Sequence, residues 1–272
     1  MRLLLVFLGM LLWLMPQEST AQTAAAAEAA AQATAIKKAN QLMLERRYES
    51  AWKLLKYTDQ MNVEPAVALK KTELALSYHI GTDELKRFAF RDLSLLSPSI
   101  DSLRQSGKDS VRYSFPVRRV LEKLKEKYPD NYKLDRALGD YYFAVQQCDC
   151  AEQDLGEDEV FRRTIQFYQQ AHDHGQGDYL SYFALGYAYQ RLGQFKESLA
   201  PFERSIQLRK NYPTAHLNLA FVYLELKEFD KARAHARRAV QLFEDDAHKE
   251  DAGFLLAQIE ERMKETAASK PQ

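Results

Sequence analysis

The sequence predicts an all-α solenoid, a stack of antiparallel helix pairs, and three observations carry that expectation. The first is a pattern stated twice. Tyr182, Leu185, Gly186, Tyr189, Gly193, Phe195, Ser198, Phe202, Ser205 and Leu208 return thirty-four positions later as His216, Leu219, Ala220, Tyr223, Lys227, Phe229, Ala232, Ala236, Ala239 and Leu242, with a similar side chain in seven of the ten pairs. A period in the thirties marks a repeat array rather than one globular core. The second is spacing: Tyr182, Leu185, Gly186 and Tyr189 share one helical face, and a second apolar stripe begins after a short turn. The third is the small residue beside a large one, which helices need where they cross closely.

These residues resemble the tetratricopeptide repeat, a 34-residue pair of antiparallel helices. Tyr182, Leu185-Gly186 and Tyr189 fit its first helix, and Phe195, Ser198, Phe202 and Ser205 its second, with the closing proline displaced to Pro213. The second copy is looser, having Ala220 for glycine and Ala236 where an aromatic is usual. The resemblance implies a right-handed superhelix whose first helices line a concave face. It says little about the ligand, because a scaffold does not fix a function.

Length and composition agree with such a stack. At 272 residues, with 46% hydrophobic and 11% aromatic content, the chain can bury a sizeable core once repeats pile up. Lys+Arg and Asp+Glu are equal at 38 each, so nothing favours nucleic acid or an acidic membrane surface. Residues 1–21 read as a cleaved export signal, with Arg2, the apolar run Leu3–Met15, and Ser19-Thr20-Ala21 before Gln22. As a helix that run rises only about 20 Å, short of a bilayer core of roughly 30 Å, so stable membrane insertion is not expected. The sequence places the protein outside the cytoplasm, and analogy with bacterial envelope proteins suggests a periplasm. Two cysteines do not build the fold.

In chain order, the Ala-rich residues 22–34 form a spacer or frayed helix extension. From residue 35 to 131 degenerate helical repeats are expected. Arg47 to Leu55 imitates Gln194 to Phe202, which predicts a first repeat closed by Pro65. Val67–His79 and Asp83–Leu96 carry helical spacing, with Gly81 between them, and predict a further helix pair. Residues 97–113 suit a loop holding a short helix near Ile100–Arg104. Val117, Val120, Leu121 and Leu124 make an apolar stripe. Tyr132, Leu138-Gly139 and Tyr142 open a third good copy, whose second helix comes late, at Phe161, Thr164, Tyr168 and Ala171. Leu138 and Leu185 lie forty-seven apart, thirteen more than one repeat, which predicts an insertion over 146–158. Repeats are thus expected at 132–178, 179–212 and 213–246, then a capping helix over 247–266 and a disordered tail at 267–272.

On the first helices, residues beside the packing stripe would face a ligand. These are Lys133, Arg136, Asp140 and Phe143; Phe183, Tyr187, Gln190 and Arg191; and Leu217, Phe221 and Leu224. Phe183, Tyr187, Leu217 and Phe221 are too many large apolar groups for a merely wetted face, and exposed apolar patches usually mark contacts. The competing reading is that a neighbouring helix covers them. Some relatives grip a C-terminal carboxylate with basic and amide residues here, but Phe183 and Tyr187 stand at the corresponding positions.

Cys148-Asp149-Cys150, followed by Glu152, Asp154, Glu157, Asp158 and Glu159, is the other feature. Two thiols one residue apart can close a strained, reducible bridge. A metal site with His172 and His174 is disfavoured, because those histidines sit at the far end of the second helix, roughly 20 Å away. The acidic run lacks the spacing and central glycine of a calcium loop. Gly175-Gln176-Gly177 lacks the rest of a nucleotide motif, and Ser50 with Lys53 lies inside a repeat turn. His79, His216, His235 and His248 read as packing or surface residues. No catalytic residue, cofactor or metal is expected. The expectation is a non-enzymatic scaffold binding a protein or peptide of unknown identity, with a homo-oligomer left open and a metal-binding or redox accessory acting through Cys148–Glu159 as the alternative.

Overall fold

A computed structural model describes residues 4–106, 111–148 and 155–268, with side chains from residue 22 onward. The chain divides into two compact units, residues 1–116 and 117–272.

In the first unit, α1 (Leu4–Leu44) runs without a break through the Ala-rich spacer, whose side chains stay largely exposed until Ala39, Leu42 and Met43 enter the core. Straight-chain and alanine residues keep this segment helical with little to bury. It turns into α2 (Tyr48–Thr58), and α3 (Pro65–Tyr78) opens on Pro65, where a missing N–H costs no helical bond. Lys71 of α3 is buried and donates to the Asp59 carbonyl and to Asn62 Oδ1 (2.8 Å), tying down the α2–α3 connection. Burial pushes its ammonium down to about 8.

The helix expected over Asp83–Leu96 is absent, which corrects the helix pair expected there in an otherwise mostly helical unit. In its place stand β1 (Gly81–Asp83) and β2 (Arg87–Ala89), joined to β3 (Arg112–Ser114) in an antiparallel sheet of order β1-β2-β3. Glu84 (φ 46°) and Leu85 (φ 50°) both take the left-handed conformation, the geometry of a tight hairpin whose twist matches the strands. Phe88 and Phe90, two apart, reach the same core: Phe90 stacks on Trp52 at 4.8 Å, and Phe115 meets Trp52 edge-on at 5.4 Å. Within the expected loop, α4 spans Ile100–Gln105, with Ser99 capping it through Ser102 N–H.

The second unit is helical throughout its described residues. α5 (Val117–Lys127) packs on α6 (Tyr132–Cys148). Then come the pairs α6 with α7 (Glu157–Asp173), α8 (Tyr179–Arg191) with α9 (Phe195–Leu208), and α10 (Pro213–Glu225) with α11 (Phe229–Leu242). α12 (Asp246–Ala268) covers α11 with Ala252, Leu255 and Ile259, so the capping helix extends two residues into the expected tail; residues 269–272 lie outside the described residues.

The helix crossings explain the small residues. A Cβ on Gly139 would stand 2.6 Å from the Tyr168 ring, and one on Gly186 would stand 2.8 Å from that of Phe202. In the last pair Ala220 and Ala236 fill the corresponding places, both fully buried. The expected insertion at 146–158 is narrower than the sequence suggested. α6 continues to Cys148, with Val145 buried and Gln146 donating to Thr164 Oγ1 (3.2 Å), and α7 begins at Glu157. Both helices are a turn longer than α8 and α9, so much of the extra length is helix. Residues 149–154 lie outside the described residues.

Three helical hairpins close with one turn. Arg46, Gly193 and Lys227 all have a left-handed backbone (φ 61°, 71° and 60°). The N–H of the next residue returns to the carbonyl five positions back: Arg47 to Leu42 (2.8 Å), Gln194 to Tyr189 (2.9 Å) and Glu228 to Tyr223 (2.8 Å). This bond satisfies carbonyls that a helix end leaves unpaired. α1–α2 is therefore built like the later repeats.

Candidate interaction face of the second unit

The first helices of the pairs, α6, α8 and α10, carry the residues singled out from the sequence, and the structure sorts them into three groups. Lys133 is exposed. Arg136 is committed to the fold. It donates from Nε to Asp140 (2.9 Å), from Nη2 to Asp178 (3.1 Å) and from Nη1 to the Gln176 carbonyl (3.3 Å), and lies over the Tyr168 ring. Tyr168 in turn donates to Asp140 at 2.8 Å. Burial would raise the Asp178 carboxyl, but the Ser181 N–H and Arg136 outweigh it and hold it low. Arg136 and Asp140 are thus partners within the protein, not free ligand groups. The network was invisible in the sequence because Asp178 and Tyr168 belong to other helical pieces.

The aromatic residues form the second group. Phe183 is only 7% exposed and packs with Phe202 (5.8 Å) and Tyr212 (5.3 Å). Its place on a ligand face is corrected: it is a core residue, enclosed by Phe202 from the second helix of its own pair and by Tyr212 at the entry to the next pair. Phe143 sets its edge on both Phe183 (6.4 Å) and Tyr187 (6.3 Å), and Phe161 from α7 reaches Tyr187 (6.3 Å). Arg191 bonds Tyr187 Oη (3.0 Å), pairs with Glu157 and covers the Phe161 ring at 5.1 Å. Gln190 buries its side-chain oxygen without a partner.

The third group is Leu217, Phe221 and Leu224, half-buried against the cluster of Leu219, Tyr223 and Phe202. Like Phe143 and Tyr187 they keep part of their apolar surface exposed on α6, α8 and α10, although Leu217 also packs against Ala239, Phe243 and Ala252.

The polar side chains that could suggest chemistry are held by partners within the fold. Ser181 Oγ lies 2.9 Å from His172 Nε2, but Ser181 is fully buried and bonded to both Asp178 backbone groups, as a helix cap rather than a nucleophile. Ser50 bonds Asp92 and Lys53 pairs with Glu49, so these two are not a couple. Among the described residues no three His, Cys, Asp or Glu side chains gather as a metal site. Cys148 is disulfide-bonded, and Cys150, with Glu152 and Asp154, lies outside the described residues. Sequence reasoning also missed a contact: His216 and His235 meet across α10 and α11, Nδ1 to Nδ1, at 3.0 Å.

Stacked helix pairs whose polar side chains serve caps and crossings define a non-catalytic interaction scaffold. The family comparisons agree: residues 186–227 match a TPR repeat model and residues 213–246 a tetratricopeptide repeat model, so residues 186–246 carry tetratricopeptide repeats. No curated protein matches it. Among solved structures, a variant of MamA is 21% identical, with a TM-score of 0.50 over 78% of this chain and 97% of that one. A MamA double mutant from RS-1 is 14% identical, with a TM-score of 0.50 over 78% and 94%. TTC0263, a thermophilic TPR protein of Thermus thermophilus, is 16% identical, with a TM-score of 0.48 over 84% and 98%. At these identities the two MamA likenesses speak to fold alone.

Proposed function

We propose that this scaffold is an exported adaptor and that the face of α6, α8 and α10 holds a segment of another protein. The observation that carries the reading is the set of half-buried apolar side chains, Phe143, Tyr187, Leu217, Phe221 and Leu224, on three consecutive first helices. Such edges keep part of their apolar surface in water, and covering it releases about 25 cal/mol per Å². Recognition of this kind rests on a few aromatic and aliphatic anchors. Export is supported by the apolar run and small residues of positions 3–21 and by the disulfide at Cys148, which suits an oxidising compartment.

The test is capture by cross-linking in the native compartment followed by mass spectrometry, with Tyr187→Ala/Phe221→Ala beside the wild type. The expected result is loss of specific partners with an unchanged circular dichroism spectrum. An unchanged set of partners would overturn the groove. The same sample tests export, because the mature chain is expected to begin at Gln22.

A further inference from the structure

His216 and His235 are nineteen residues apart and sit on the two helices of the last repeat, α10 and α11. Their rings stack at 5.2 Å with Nδ1 facing Nδ1 at 3.0 Å. His216 is 7% exposed. Its Nε2 lies 3.1 Å from the Lys210 carbonyl, in the connection from α9. A carbonyl only accepts, so Nε2 carries the hydrogen and the His216 Nδ1 lone pair is free to accept from the Nδ1–H of His235. The neutral pair therefore makes a chain of hydrogen bonds from α11 through α10 to the α9–α10 connection.

We propose that this pair is an acid-sensitive latch: protonation releases α11 from α10, and the terminal repeat, with the part of the interaction face that α10 carries, loosens below neutral pH. Its consequence for partner binding rests on the groove reading above. The loosening itself does not.

The chemistry is constrained by the pair's own lone pairs. A first proton has only His235 Nε2 to occupy, which places a cation at a half-buried position. A second must take His216 Nδ1, and then two N–H groups confront each other where a hydrogen bond had been. The surroundings are mixed. From α9, Glu203 favours a cation near His235 but is already bonded by Tyr223 Oη at 2.8 Å; Tyr223, from α10, stacks on His235 at 5.7 Å. From α11, Arg238 opposes charge on His216 and is turned to Asn211 Oδ1 (2.8 Å). Lys231 lies over the Tyr223 ring at 5.1 Å, and the charge of Glu228 acts on the same tyrosine. The Arg237–Glu260 pair joins α11 to α12 two positions along from His235, on the other side of the helix.

The balance goes against the charged form. Burial, then the neighbouring His216, brings His235 down to about 4, and burial foremost lowers His216. In an unfolded chain both titrate near 6.5. The folded repeat thus binds fewer protons than the unfolded one, so its stability is full above about 6.5 and is lost as the pH falls toward 4.

Hydrogen exchange of the full-length protein, read as protection factors for α10 and α11 at pH 7.5 and pH 4.5, tests the latch. Wild-type protection there is expected to fall more than roughly tenfold, and His235→Asn, whose amide still donates to His216 but does not titrate, is expected to lose most of that fall. His216→Asn serves if the first variant folds poorly. Equal falls in wild type and variant, or no fall at all, would overturn the latch. A groove that binds nothing would leave this result unchanged, so the two readings fail separately.

Discussion

Gly186 and Phe202 occupy one space: the Cβ that glycine lacks would lie 2.8 Å from a carbon of the phenyl ring. The ring is fully buried, so it has nowhere to retreat. Gly186→Ala should therefore destabilise the second unit by about 1–3 kcal/mol through overpacking. Phe202→Ala should cost about 3–5 kcal/mol by leaving a cavity. The informative measurement is the cycle by urea denaturation, because in the Phe202→Ala background the added methyl is expected to cost much less. Full additivity of the two would mean the contact is not what excludes a side chain at position 186.

Lys227 holds the left-handed conformation that Gly193 holds one repeat earlier, and its carbon framework makes that conformation costly by about 1–2 kcal/mol. Lys227→Gly is expected to raise the melting temperature, and Gly193→Ala to lower it. A melting temperature that falls in Lys227→Gly would show that the lysine side chain contributes more than its backbone strain costs.

Arg136 joins Asp140, Asp178 and the Gln176 carbonyl, and its guanidinium lies over Tyr168. Removing it strands two carboxylates against one another's field. Arg136→Met should destabilise the unit by about 2 kcal/mol, as charged hydrogen bonds lost at a partly buried site usually do. The same variant is expected to leave partner capture intact at a temperature where it is folded, since its donors already point inward. Selective loss of capture with full stability would return Arg136 to the interaction face.

The repeats were legible because their geometry imposes residue types at single positions. Gly139 and Gly186 each reflect a crossing where an aromatic ring leaves no room for a Cβ, the thirty-four-residue offset repeats that crossing, and Arg47 to Leu55 betrayed the first hairpin through its packing pattern alone. The sheet was not legible. Leu85, Phe88 and Leu93 satisfy helical spacing as well as Phe88 and Phe90 satisfy alternation, and only the hairpin at Glu84–Leu85, built from residues with no turn preference, decides between them. Exposure failed at Phe183 for a related reason: its position beside the stripe is correct, but how tightly α8 is enclosed depends on Tyr212 and Phe202. The histidine pair needed the crossing of α10 over α11, which no local pattern records.

In the second unit each helix pair leans on its sequence neighbours, the α8–α9 and α10–α11 hairpins are sealed by their own turns, and α12 packs on the last of them. Because nearest-neighbour contacts dominate such a stack, drawing it out by its C-terminus should make it give way in steps, α12 first and then hairpin after hairpin. A pull on that end would meet a series of small yields instead of a single brittle break.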